Sequence, residues 1–123
     1  MLNTRTHVLL IALLVIANNA DAGGDAARGQ TLYQRRCTVC HSIEYNGMGP
    51  AHKGVYGRKA GRAPDFPYSD ALKTSTVVWN EQTLDRWLAN PEQFIPGQRM
   101  GVSVPDEKDR ADLVAYLKKI SGR

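Results

Sequence analysis

One short run, Cys37-Thr38-Val39-Cys40-His41, constrains this chain more than any other part of it. Two thiols three positions apart, followed at once by an imidazole, form the C-x-x-C-H pattern of c-type haem attachment. Each thiol bonds one vinyl-derived carbon of the same porphyrin, and the histidine is close enough to place its ring on the iron from one face. A group that large would be core and chemistry together. Two other readings fit the same residues. The thiols could form a disulfide or redox pair in an exported protein. So short a loop would constrain the unfolded chain little, and the flanks show no strand-helix-strand context for a thioredoxin-like pair. A zinc site could use Cys37, Cys40, His41 and His52, but two adjacent ligands strain a tetrahedron.

Export is legible in the first residues. Arg5 supplies positive charge, Val8 to Ala17 is an unbroken apolar run, and Ala20-Asp21-Ala22 is a small-x-small cleavage site. That is the layout of a secretory signal peptide, residues 1–22. The run is about half the ~20 residues a spanning helix needs, so no stable membrane anchor is expected. Residues 23–123 then form one domain. The cleaved segment holds one base and one acid, so the net charge of +4 is unchanged by its loss. A basic protein favours an acidic docking face on its partner. The basic residues are scattered and carry no basic-aromatic motif, which argues against nucleic acid.

Three helices are predicted. The first spans Asp25, a fair N-cap, to Arg36, with Gly29, Tyr33 and Cys37 recurring on one face. The second spans Asn80 to Asn90, with an apolar stripe of Leu84, Trp87 and Leu88, and Pro91 stops it. The third spans Asp106 to Ile120, with Leu113, Val114, Leu117 and Ile120 buried and Tyr116 alongside. A shorter helix over Asp70–Lys73 is expected to start at Ser69. Between Ser42 and Tyr68 stand eight glycines and prolines and little periodicity. A loop that long sits badly in a compact domain unless it wraps something. A porphyrin would be that something, and without it the apo-protein is expected to fold poorly.

An iron held by His41 needs a second ligand or an open face. Met48 and His52 follow His41 too closely for the chain to round the ring edge. Met100 lies far along the chain, in Ile95-Pro96-Gly97-Gln98-Arg99-Met100, where proline and glycine make a stiff turn. The plain alternative is a core methionine. A His/Met pair raises the reduction potential and closes both faces of the iron, which implies electron carriage.

With these residues in hand, the chain resembles a class I cytochrome c of the mitochondrial-like kind, in its soluble bacterial form, over nearly all of 23–123. Gly29 and Tyr33 stand as that family's helix-crossing glycine and aromatic do, with Tyr116 as the aromatic packing on the glycine. Met48-Gly49-Pro50 resembles the loop whose proline carbonyl holds the proximal histidine. Tyr56-Gly57-Arg58-Lys59 and Tyr68-Ser69-Asp70-Ala71 resemble the stretches whose arginine and tyrosine reach a haem propionate, and Trp79 matches the tryptophan that donates to one. Asn90-Pro91 through Met100 is similar to the methionine loop, and Asp112–Lys119 to the last helix. The resemblance implies an all-α class I cytochrome c fold, three main helices and long loops around one covalent haem c. Its iron would be held by His41 and Met100, with Cys37 and Cys40 attached to the ring and Pro50, Arg58, Tyr68 and Trp79 around it. It implies a monomeric periplasmic electron carrier, not an enzyme, that serves membrane or periplasmic redox proteins. The rival readings are a dedicated electron-transfer subunit of a periplasmic dehydrogenase or oxidase, and a haem peroxidase or gas sensor.

The chain departs from that pattern around the haem. Trp87 stands for a usual tyrosine, Leu72 for an asparagine, Gln98 for a threonine and Val102 for a phenylalanine. Glu92 and Gln93 stand where mitochondrial relatives carry lysines, which dilutes the basic ring. Arg36, Lys53 and Arg99 are the bases expected at the exposed edge.

Overall fold

The computed structural model describes residues 23–123; the apolar run Val8–Ala17 and the cleavage site at Ala20–Ala22 lie outside the described residues. The described residues form five helices and no sheet: α1 (Ala26–Arg36), α2 (Asp70–Lys73), α3 (Glu81–Ala89), α4 (Pro91–Phe94) and α5 (Glu107–Ile120). Each of the three long helices starts at a polar side chain that satisfies free N–H groups of its first turn. The Asp25 carboxylate accepts from the N–H of Ala27 and Arg28. Asn80 accepts from Thr83 N–H while the Thr83 hydroxyl accepts from Asn80 N–H at 2.8 Å, a reciprocal capping box. Asp106 accepts from Asp109 N–H.

The expected end of α3 at Pro91 holds, but proline does more than stop it. It opens α4, whose N-cap is Asn90, accepting from Gln93 N–H at 3.1 Å. A proline lacks the N–H that a first helical position cannot use anyway, so the residue that ends one helix begins the next.

The frame of the fold is the packing of α1 on α5, with α3 against α5 and α4. Gly29 makes the first contact possible. A Cβ there would overlap the Asp112 carbonyl and press on Tyr116 Cβ. Tyr33, one turn on, packs on Tyr116 with ring centroids 5.3 Å apart. Leu113, Val114, Tyr116 and Leu117 are buried as their spacing predicts, while Ile120 is only partly buried. Two acids are buried with them, which apolar periodicity does not predict: Asp109 and Asp112. Asp112 accepts from Arg28 at 2.6 Å, Lys108 at 3.1 Å and the Asp25 N–H at 2.7 Å. Asp109 accepts from Arg28 at 2.6 Å and Arg36 at 3.4 Å. A carboxylate can enter a helix interface when its lone pairs are used in this way.

The Ser42–Tyr68 stretch has no helix, as expected, yet its far half is pinned. Gly57 N–H donates to the Trp79 carbonyl, Trp79 N–H to that of Arg58 and Ala60 N–H to that of Val77, all within 2.9 Å. Lys59 and Val78 form an isolated antiparallel bridge. Arg110 fastens the other side, bonding Asp85 on α3 at 2.6 Å and the carbonyls of Val104 and Pro105.

Candidate functional site

Residues from α1, the loop, α2, α3, the Arg99–Val104 segment and α5 line a cavity of about 490 Å³. That lies within the ~300–1,000 Å³ of small-molecule and cofactor sites. Every site residue expected from the sequence is on its wall: Cys37, Cys40, His41, Pro50, Arg58, Tyr68, Trp79 and Met100. They come from six separate stretches of chain, so the fold, not sequence proximity, gathers them.

Cys37 caps α1, and its carbonyl takes the N–H of both Cys40 and His41, at 3.1 and 2.8 Å. This tight turn brings the three side chains to one wall. The two sulfurs are not joined in a disulfide. Burial, opposed by Arg36 and assisted by Cys40, pushes the Cys37 thiol up to about 11. His41 Nδ1 donates to the Pro50 carbonyl at 2.9 Å. Burial holds this imidazole below its ordinary pKa, against the opposing effect of that bond. A neutral ring with its proton on Nδ1 leaves the Nε2 lone pair for a metal. The backbone at Gly49 lies so close that a Cβ there would overlap the ring.

Met100 approaches on the Pro96–Gly97 turn. That turn is braced by Glu92 of α4, which accepts from Gly97 N–H at 3.0 Å and from the Gln98 amide at 3.1 Å. The Gln98 side-chain oxygen, Oε1, in turn accepts from Met100 N–H. Those bonds to Gly97 and Gln98 hold the Glu92 carboxyl below its usual range. Sequence reasoning counts Glu92 and Gln98 only as missing family residues; here both hold the segment that carries Met100.

The remaining candidates differ in how they are held. Trp79 is buried, its ring 5.4 Å from that of Trp87 and 6.5 Å from Phe94. Arg58 donates to the Lys53 and Ala51 carbonyls at 3.0 and 3.4 Å, so the guanidinium is already fixed at the wall. The Tyr68 hydroxyl accepts from Ala63 N–H at 3.0 Å. Leu72 and Trp87, two of the family departures, also face the cavity. Among the expected edge bases, Arg36 and Arg99 line it, while Lys53 pairs with Glu44 at 3.1 Å.

His52 is placed where the sequence does not foresee. It stacks on His41, with centroids 4.1 Å apart. It therefore sits beside His41, on the same side of the cavity, and is badly placed to act across from it. No local pattern could have paired the two rings. Among the described residues, no group of three or more His, Cys, Asp or Glu side chains is placed to hold a metal ion, so the four-ligand zinc arrangement is not assembled.

The residues present fit a porphyrin. Two cysteine sulfurs and a tautomer-fixed imidazole share one wall, a thioether is on the same cavity, and the lining between them is largely apolar.

Comparison with known proteins agrees. The cytochrome c family model matches residues 26–121. The cytochrome c of Gibberella zeae is 44% identical over 79% of this chain and 95% of its own length. The cytochrome c2 of Rhodomicrobium vannielii is 40% identical over 91% of this chain and 92% of its own. Among solved structures, cytochrome cH from Methylobacterium extorquens superposes with a TM-score of 0.75 at 44% identity, covering 78% of this chain and 99% of that one. The chain therefore belongs to the cytochrome c family of electron carriers, has the class I fold, and binds one covalently attached haem c.

Proposed function

We propose that this protein is a periplasmic one-electron carrier whose haem iron is held by His41 and Met100. It shuttles electrons between membrane and periplasmic redox proteins that present an acidic docking face. Residues 1–22 direct export and are removed, leaving 23–123 as a monomeric domain. Among the described residues, no helix is long and apolar enough to cross a membrane.

The observation that carries the reading is the pairing of supports around one cavity: Pro50 on His41 Nδ1, and the Glu92–Gln98 brace on the Met100 segment. When bound, haem c supplies a one-electron iron couple. The chain's own residues do the rest. Cys37 and Cys40 fix the group to the end of α1. His41 offers Nε2 because Pro50 occupies Nδ1. The Pro96–Gly97 turn keeps the Met100 thioether at a set height, which leaves little room for water or peroxide to reach the metal. Arg58, Tyr68 and Trp79 supply the polar groups nearest a propionate. The apolar walls keep water out, so little must reorganise when charge changes.

The test is Met100→Ala. Loss of the thioether is expected to lower the reduction potential by ~0.1 V or more, a fraction of the ~0.8 V that axial ligation spans. Cyanide binding is expected to speed up, and the covalent colour to stay. A redox titration and cyanide-binding rates that match wild type would remove Met100 as a ligand.

A further inference from the structure

The reading above leaves His52 without a task, although its surroundings are specific. Its ring lies 22° from parallel with His41 at a 4.1 Å centroid distance. Its Nδ1 is 2.9 Å from the Tyr33 hydroxyl, a hydrogen bond whose direction follows the imidazole tautomer. The Tyr33 ring meets it edge-on at 5.6 Å and is itself anchored on Tyr116 of α5. The His52 backbone is fixed too: its N–H donates to the Ser42 carbonyl at 2.9 Å and its carbonyl accepts from Val55 N–H at 3.0 Å. His52 is therefore clamped at backbone and side chain.

His41 has one hydrogen bond, from Nδ1 to Pro50. That bond and the nearby Gly49 backbone fix the Nδ1–Cε1 edge, which leaves rocking about that edge to be limited by whatever packs on the ring face. A flat neighbour on the ring face removes the rocking, because tilting either ring breaks the stack. The clamped His52 ring thus offers His41 a flat aromatic surface.

We propose that His52, tethered by Tyr33, is a positioning residue that sets the rotational orientation of the His41 imidazole; this rests on His41 being the iron ligand. The plane of an axial imidazole governs its overlap with the iron orbitals, and through them the paramagnetic shifts of the haem methyls in the oxidised protein. Groups outside the ligand set tune a metal site in this way.

The experiment compares holo wild type with His52→Leu, His52→Phe and Tyr33→Phe. It uses proton NMR of the oxidised protein, redox titration and denaturant unfolding. In His52→Leu the haem methyl shifts are expected to redistribute and the potential to move. Phe at 52 restores the flat face, so its methyl pattern returns most of the way to wild type. Tyr33→Phe cuts only the tether, and gives the same redistribution at smaller amplitude. A His52→Leu protein with a lower unfolding midpoint but wild-type methyl pattern and potential would show that His52 only fills space, and overturns the proposal. If the wild-type spectrum carries no resonances of an iron-bound imidazole, the ligand reading itself fails and the proposal falls with it.

Discussion

The α1–α5 crossing and the Ser42–Tyr68 loop hold their shapes by different means. The crossing is closed within the protein: Gly29 lets the backbones touch, Tyr33 and Tyr116 interlock, and Arg28 and Lys108 satisfy the buried Asp112. The loop has no such closure. Its far half is tied by backbone bonds to Val77–Trp79, whereas its near half, from Ser42 to Pro50, is tied by backbone bonds only to nearby residues, such as Ser42 to His52 and Ile43 to Lys53, and it lines the cavity. Exposed Tyr45 and Met48 stand in that half, at 71% and 78% of full exposure, and give it little core of its own. One region gets its stability from side chains the chain supplies. The other needs the haem to complete its contacts.

Taking the haem away breaks this comparison most severely. A Cys37→Ala, Cys40→Ala double variant cannot form the thioether links, and when it is isolated free of haem its cavity has lost its filling. Stability is expected to fall from the ~5–15 kcal/mol of an ordinary domain to near zero. Hydrogen exchange followed by mass spectrometry should find amides of 42–68 unprotected, while α1 and α5 keep residual protection. Loop amides that stay protected in the haem-free chain would show that the loop does not depend on the haem.

Gly29→Leu strikes the other region. The side chain would run into the Asp112 carbonyl, which is backbone and cannot swing aside. Overpacking typically costs about 1–3 kcal/mol, and a backbone obstacle puts this case near the top of that range. The haem stays attached, because the cysteines lie beyond the crossing. A denaturant midpoint equal to wild type would mean that the helices do not meet at Gly29.

How much of this was legible beforehand follows the same division. The three long helices announce themselves through Asp25, Asn80 and Asp106 and through apolar spacing, because capping and periodicity are local effects. Cys37, Cys40 and His41 are adjacent, so their chemistry is local too. Pro91 was half legible: its power to stop a helix is visible in sequence, but its use as the first residue of α4 depends on Asn90 turning back to cap. Asp112 was not legible as a buried residue. Its partner Arg28 is 84 residues away, and a charged residue on a helix ordinarily points to water. His52 and Tyr33 are 19 residues apart across an aperiodic stretch, so nothing local pairs them. In sequence Glu92 reads only as a charge at the docking edge, yet its carboxylate braces the Met100 turn.

The smallest predicted effect is the most discriminating one for the crossing, because it changes charge with little change of shape. Burial alone would raise the Asp112 carboxyl. Hydrogen bonds from Arg28, the Asp25 N–H and Lys108 outweigh it and hold the group below the usual range. Asp109, the other acid at this junction, shares Arg28 and also meets Arg36. A carboxylate with a depressed folded-state pKa stabilises the protein above its unfolded value of ~3.9. That contribution is lost as pH falls through the folded value. Asp112→Asn removes the charge and keeps one acceptor oxygen, but it turns an NH2 toward one of the donors that the carboxylate satisfied. At pH 7 the variant is expected to be less stable by about 1–2 kcal/mol, somewhat under the ~1.5–3 kcal/mol of a bond to a charged group. The gap between variant and wild type should narrow as pH drops below ~4, because the wild-type carboxylate is then being protonated as well. Thermal midpoints of both proteins from pH 3 to 7 give the comparison directly. Two curves that run parallel across that range would show that the Asp112 charge adds nothing to the crossing, which Gly29, the tyrosines and the Asp109 pairs then hold without it.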